Sequence, residues 1–312
     1  MTSLIYDDIY LKHDTGASHP ENATRIINTI EYLRSTSIWQ KLDIKKPRAA
    51  TIEEISTVHT ISQIEEVAEI AKTGGGYLDP DTHVSPDSYE AALYASGALL
   101  TAIDLVMDKK TDNAFCLVRP PGHHATPTKA MGFCLFNNVA IAAKYIQSEY
   151  NLDRIAIIDW DVHHGNGTQD AFYDDPSVLY FSMHKYPFYP GTGAKEETGE
   201  GSGSGFTINV PLSYNIEPQE YLEIFDEILK KRIKSFNPQF VLISSGFDAY
   251  RLDPISGLSL EASDFNALTK LTRNIADDCC EGRIVSCLEG GYHLLDLPKC
   301  IEAHLNGLAC DI

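Results

Sequence analysis

Asp159, Asp161 and His163, at alternate positions, form the densest run of metal-binding and proton-transferring groups in the chain. Alternate side chains of an extended backbone share one face. If a strand continues through these residues, all three lie together, with Trp160, Val162 and His164 on the other side. Two carboxylates and an imidazole are hard to bury without a cation. Asp161 and His163 supply O and N donors suited to Zn²⁺ or Fe²⁺, and Asp248 is a candidate third ligand. Three protein ligands leave room for water and substrate, the arrangement of a catalytic metal. His123 and His124 follow Gly122 in Arg119-Pro-Pro-Gly-His-His and need partners that fix their tautomers, for which Asp159 and Asn166 are candidates. Tyr292 follows Gly290 and Gly291; taken alone it reads more readily as a structural tyrosine.

These groups need a scaffold that brings distant segments together. Short apolar runs at Ala114–Val118, Arg154–Ile158, Val178–Ser182, Phe240–Ser244 and Arg283–Leu288 read as strands buried on both faces. Amphipathic runs alternate with them: Ile26, Ile27, Ile30 and Leu33; Tyr221, Leu222, Phe225, Ile228 and Leu229; Phe265, Leu268, Leu271 and Ile275. Asn22 is a candidate cap for the first, and an Ala-rich helix after Glu90 turns Leu99, Ile103 and Val106 inward. The pattern predicts one α/β domain with a mainly parallel sheet flanked by helices. Each strand-like run ends in a polar cluster, and open α/β sheets bind ligands at the carboxyl ends of their strands. The site is therefore expected there.

Of 312 residues, 43% are hydrophobic, enough for a sizeable core. No run of eighteen apolar residues is present, so no membrane-spanning helix is expected, and MTSLIYDDIYLKHD does not read as a secretory signal. Seven cysteines, Cys116, Cys134, Cys279, Cys280, Cys287, Cys300 and Cys310, include no CxxC pair and read as reduced thiols of a cytoplasmic protein. With 25 basic and 44 acidic side chains the formal charge is −19, which disfavours direct nucleic-acid binding and would attract cationic substrates such as lysine-rich peptides or polyamines. Oligomeric state is not legible.

Taken in order, RPPGHHA, MGFCLFNN, DWDVHHGNGTQ, HKYPFYPGTG, SSGFDA and LEGGY resemble the motifs of zinc-dependent histone deacetylases, particularly the class II-like branch and its bacterial and archaeal relatives. HDTGASHPENATR resembles that family's opening motif. The resemblance covers about residues 6–295 and implies an arginase/deacetylase-like fold, here one catalytic domain over residues 1–312. It implies zinc on Asp161, His163 and Asp248; His123 paired with Asp159; His124 paired with Asn166, where class I enzymes usually carry Asp; and Tyr292 as the catalytic tyrosine. Gly132 and Phe133 match one wall of an acyl-lysine tunnel, and Tyr189 stands where the opposite wall is usually Phe. Arg25 matches the arginine of an internal channel. A structural potassium is implied at Asp159, Asp161, His163, Ser182 and Met183, and a second at Phe172, Asp175 and Val178, largely through backbone oxygens.

The implied activity is hydrolysis of an acyl amide, with acetyl-lysine in a peptide or protein as substrate. An acetylpolyamine amidohydrolase is the nearest rival. Ile255, after Asp253-Pro254, stands where one polyamine-selective branch has Glu, which argues against it. Asp79, Asp81 and Asp87 are placed in a loop that reaches the rim, with Asp81 a candidate substrate ligand. A binuclear ureohydrolase would need ligands for a second metal, and a non-catalytic acyl-lysine reader would show lost ligands or a replaced tyrosine. Neither signature is present.

Overall fold

The computed structural model describes residues 1–309. In chain order the strands are β1 (Thr2–Ile5), β2 (Leu42–Lys45), β3 (Gly76–Asp79), β4 (Thr82–Val84), β5 (Asn113–Cys116), β6 (Ile155–Asp159), β7 (Val178–Lys185), β8 (Thr207–Leu212), β9 (Phe240–Ser245) and β10 (Ile284–Leu288). All but β3 and β4 join one sheet of order β2-β1-β5-β10-β9-β6-β7-β8, and every neighbouring pair is parallel. The helices are α1 (Thr24–Arg34), α2 (Ile52–Ile55), α3 (Ile61–Lys72), α4 (Ser88–Met107), α5 (Asn138–Tyr150), α6 (Asn166–Ala171), α7 (Pro218–Ile228), α8 (Lys234–Phe236), α9 (Ala262–Cys280) and α10 (Leu297–Leu308). A π-helical segment, Leu229–Ile233, joins α7 to α8.

The chain is a single α/β domain in which the strand period of two sorts side chains into two cores. Ala156, Ile158, Val241 and Ile243 face one core, closed by α1, α7, α9 and α10. Ile155, Ile157, Leu242 and Val285 face the other, closed by α3, α4 and α5. Strands covered on both sides carry no polar stripe, which is why the central ones read as continuous apolar runs.

Departures from expectation sit at the margins. Strands β1, β2 and β8 lie outside the expected runs; β2 and β8 are the two edges of the sheet and β1 pairs with β2. Asp79 ends β3 of a two-stranded antiparallel hairpin, Asp81 lies in the turn to β4, and Asp87 precedes α4. Ile27 falls off the buried stripe of α1 and is exposed. The N-cap of α1 is Ala23, although the Asn22 side chain still accepts from Thr24 N at 2.9 Å. Contrary to the composition-based expectation, α4 is long and apolar enough to cross a membrane, with a mean hydropathy of 1.4; 61% of that stretch is buried inside the fold. Its alanines allow close approach to β1, β5 and β10. Cys310 lies outside the described residues, and the other six cysteines are free thiols.

A buried ion-pair cluster ties the N-terminal loop to the sheet. Glu21 accepts from Arg119 Nη2 at 2.9 Å and Arg25 Nη1 at 3.1 Å, with all three side chains fully buried. Burial alone would raise the Glu21 pKa, yet the guanidiniums and His13 hold it well below the carboxylate range. Removing the carboxylate strands two buried cations. Glu21→Ala is expected to cost about 3–5 kcal/mol, measured by urea unfolding; a loss below about 1 kcal/mol would contradict this role.

Candidate active site

Five adjacent strands, β5, β10, β9, β6 and β7, release their chains at one edge, and the chemistry-bearing residues all emerge there. His123 and His124 follow β5, Tyr292 follows β10, Asp248 follows β9, and Phe188 and Tyr189 follow β7. Strand β6 ends at Asp159, so the expected extension through His163 does not occur. Asp161 and His163 instead sit in a tight loop closed on itself, in which Asp161 N donates to Asp159 Oδ1 and His163 N to Asp161 Oδ1. The alternation survives this change: Trp160 and Val162 enter the core, and His164 bonds Thr192 and Gln169.

Asp161, His163 and Asp248 offer donor atoms within 4.8 Å of one another, all buried. His163 Nδ1 lies 3.0 Å from Asp161 Oδ1 and 3.1 Å from Asp248 Oδ2. Its single N–H can serve only one of them, and it is aligned on Asp161, so the second approach is a charge contact that leaves Asp248 Oδ2 without a hydrogen-bond donor. Burial and the nearby Asp161 charge push Asp248 up to about 7, whereas His123 and His163 overcome burial to hold Asp161 low. An orphaned carboxylate oxygen beside a second carboxylate and an imidazole fits a divalent cation. Gly290 leaves this space open, because a Cβ there would run into both carboxylates. Its N–H donates to Asp161 Oδ2 at 2.8 Å.

The two histidines differ in charge. Their ring centroids are 4.0 Å apart. Burial disfavours a charged His123, but Asp159 and Asp161 outweigh it and raise its pKa to about 10; His123 Nδ1 donates to Asp159 Oδ2 at 3.0 Å. Asp159 is further held by the Tyr180 hydroxyl at 3.0 Å. His124 is driven well below its ordinary value by burial, then by the charges of His123 and His163. Its Nδ1 donates to Asn166 Oδ1 at 2.9 Å, which leaves Nε2 as the bare nitrogen.

A cavity of about 200 Å³ leads to these groups, lined by His123, His124, His163 and Tyr292 and walled by Gly132, Phe133, Phe188, Tyr189 and Ile255, with Asp81 alongside. Gly132 and Phe133 both have positive φ, +58° and +68°, which turns the Phe133 ring into the wall. A Cβ on Gly132 would strike His124 and the Tyr189 hydroxyl. Phe188, missed by the sequence reading although it adjoins Tyr189, stacks on His163 at 5.2 Å and 19°. Burial and Asp79 raise Asp81 to about 6. Burial pushes the Tyr292 hydroxyl far up, so it remains a proton donor; Arg25 lies 4.9 Å from its ring and donates to Gly291 O at 2.7 Å. A larger groove of about 570 Å³ at the opposite sheet edge, near Met1 and Lys109, collects none of these residues.

The side chains named for potassium are committed elsewhere. Ser182 Oγ bonds His184 Nδ1, Met183 is in the core, Asp175 pairs with Lys144 at 2.8 Å, Phe172 lies under the same ammonium, and Val178 starts β7. Two buried carboxylates escaped the sequence reading. Glu289 accepts from Gly122 N and His123 N, and Asp253 accepts from Tyr292 N at 2.7 Å. Both stand within motifs already singled out, but nothing in residue type reveals which backbone they hold.

The sequence profile of the histone deacetylase domain matches residues 19–308. A probable deacetylase of Archaeoglobus fulgidus is 39% identical over 294 residues, covering 94% of this chain and 81% of that protein. Histone deacetylase 9 of Homo sapiens is 38% identical and covers 98% of this chain, which spans only 34% of the human protein. The crystal structure of the HDA15 HD domain superposes with a TM-score of 0.94 at 34% identity, covering 99% of this chain and 88% of that one. A profile spanning nearly the whole chain, relatives at this identity and a shared fold together place the chain in the histone deacetylase family.

Proposed function

We propose that the protein is a zinc-dependent lysine deacylase that removes the acetyl group from the ε-amine of lysine in a peptide or protein. One observation carries this reading: a single narrow cavity joins His123, His124, His163 and Tyr292 at its floor to apolar walls suited to a lysine stem. A divalent cation on Asp161, His163 and Asp248 would polarise the acyl carbonyl and lower the pKa of a water towards about 7. Zn²⁺ suits this donor set, and Fe²⁺ does as well. Structural potassium is proposed on backbone oxygens at Asp159, Asp161, His163, Ser182 and Met183.

The chain's own groups move the proton. His124, neutral and with Nε2 bare, takes the proton of the attacking water and returns it to the leaving amine. His123 stays charged through Asp159 and faces the developing negative charge. Tyr292 donates its hydroxyl to the carbonyl oxygen as that charge grows. The walls exclude water and align the stem.

A second reading has its own observation. Asp81 lines the cavity with Asp79 beside it, and such a pair would hold the distal ammonium of an acetylated polyamine. Ile255, on the wall and 36% exposed, offers no charge there and favours the peptide. Measured side by side on zinc-loaded protein, kcat/KM is expected to be higher for an acetyl-lysine peptide than for an acetylated polyamine. The reverse preference, abolished by Asp81→Asn, would establish the polyamine reading.

Loss of the Tyr292 donor should be felt in kcat. Tyr292→Phe is expected to lower it about 10²–10³-fold, and near-normal turnover would remove the tyrosine from the mechanism. Asn166→Asp would place a negative charge against His124 and favour its protonated form. The His124 pKa then rises by roughly 1–3 units, and a loaded base cannot accept a proton. The acid limb of the kcat/KM profile should therefore move to higher pH. An unmoved limb would show that another group accepts the proton.

A further inference from the structure

Glu289 is the first residue after β10, the strand that lies between β5 and β9. Its side chain is fully buried, and its carboxylate reaches to both neighbours. Oε2 accepts from Gly122 N at 2.7 Å and His123 N at 3.1 Å, in the turn after β5. Oε1 accepts from Ser244 Oγ at 3.1 Å, on β9. These donors are two backbone N–H groups and one hydroxyl, all neutral. Burial raises the Glu289 pKa to about 7 even with the His123 charge nearby to offset it, so an apolar residue would be the cheaper way to fill a strand end. The N–H groups it holds belong to the turn that presents the histidine pair. On the far side of that turn, a Cβ on Gly122 would collide with the backbone of Phe136 and Asn138, so the turn cannot retreat that way. The Glu289 backbone carbonyl is held in turn by Arg25 Nη2 at 2.6 Å, and the chain then leads through Gly290 and Gly291 to Tyr292.

We propose that Glu289 is a positioning residue that fixes the His123–His124 turn relative to Tyr292, locking three adjacent strand ends into one reactive geometry. The inference rests on the proton-moving roles given above to those residues. It assigns Glu289 no contact with substrate; it acts through the backbone of Gly122 and His123.

The test separates its hydrogen bonds from its charge. In Glu289→Gln the amide oxygen can accept both N–H groups and the amide nitrogen can donate to Ser244 Oγ, so all three bonds persist without the charge. In Glu289→Ala none persists. On zinc-loaded protein with an acetyl-lysine peptide, E289A is expected to lower kcat about 10- to 100-fold, with KM and zinc content close to those of the parent, and E289Q to restore most of the loss. If E289A is recovered unfolded, Ser244→Ala removes one of the three bonds and should lower kcat with KM unmoved. Undiminished kcat in E289A, or in S244A where that variant stands in, overturns the proposal. So does an E289Q as impaired as E289A. Tyr292→Phe is run alongside: full activity there overturns the reading of the site itself, whereas a normal Tyr292→Phe defect beside an intact E289A overturns only the role of Glu289.

Discussion

Negative charge buried at one edge of a parallel sheet is the constraint on which this structure turns. Glu21, Asp159, Asp161, Asp248 and Glu289 are all fully buried there. Each needs compensation, since an ionised carboxylate out of water is prohibitively costly alone. Glu21 has two guanidiniums. Asp159 has His123, the Tyr180 hydroxyl and a backbone N–H. Glu289 has two N–H groups and a hydroxyl. The one imidazole proton of His163 goes to Asp161, and one oxygen of Asp248 is left with no donor. The deficit falls where the donor geometry suits a metal ion, so the same bookkeeping that stabilises the edge locates its reactive point.

The sheet makes this concentration possible. Parallel strands end at the same edge, and their connecting loops emerge together. Contiguity in the sheet, rather than in the chain, places His123 beside Glu289 and Asp248 beside Asp161. The aromatic walls come from the same edge, with Phe188 and Tyr189 from the loop after β7, while Phe133 comes from the loop before α5. The buried carboxylates and histidines thus sit at strand ends flanked by two hydrophobic cores, and the aromatic cavity walls sit on loops.

Electrostatics then divides labour between two adjacent histidines of identical type. Asp159 and Asp161 outweigh burial to raise the pKa of His123; burial, then the charges of His123 and His163, lower that of His124, against the opposing hydrogen bond to Asn166. Two neighbouring imidazoles of one type are thereby shifted in opposite directions.

Much of this was legible in the residues. Apolar runs leading into Asp159, Ser244 and Glu289 declared central strands and their reactive ends, because burial on both faces favours apolar side chains along most of each strand. The Asp-x-His pair and the paired histidines announced their chemistry by type and spacing, and the ordered motifs announced the family. Strands β1, β2 and β8, at or beside the sheet edges, were not legible, because their runs are less uniformly apolar, and β2 and β8 are covered less completely. Asp79 looked like a loop acid and proved to end a hairpin strand, since a two-stranded pairing rests on backbone bonds that leave little mark in side-chain pattern. Sequence alone determined which groups could do chemistry and the layered fold that would gather them. Only the tertiary structure decided that Phe188 stacks on His163, that Asp253 and Glu289 hold the backbones of Tyr292 and His123, and that Asp248 keeps an oxygen free. Those are contacts between segments tens to hundreds of residues apart, and a through-space distance is a property of the packed chain rather than of residue type or spacing.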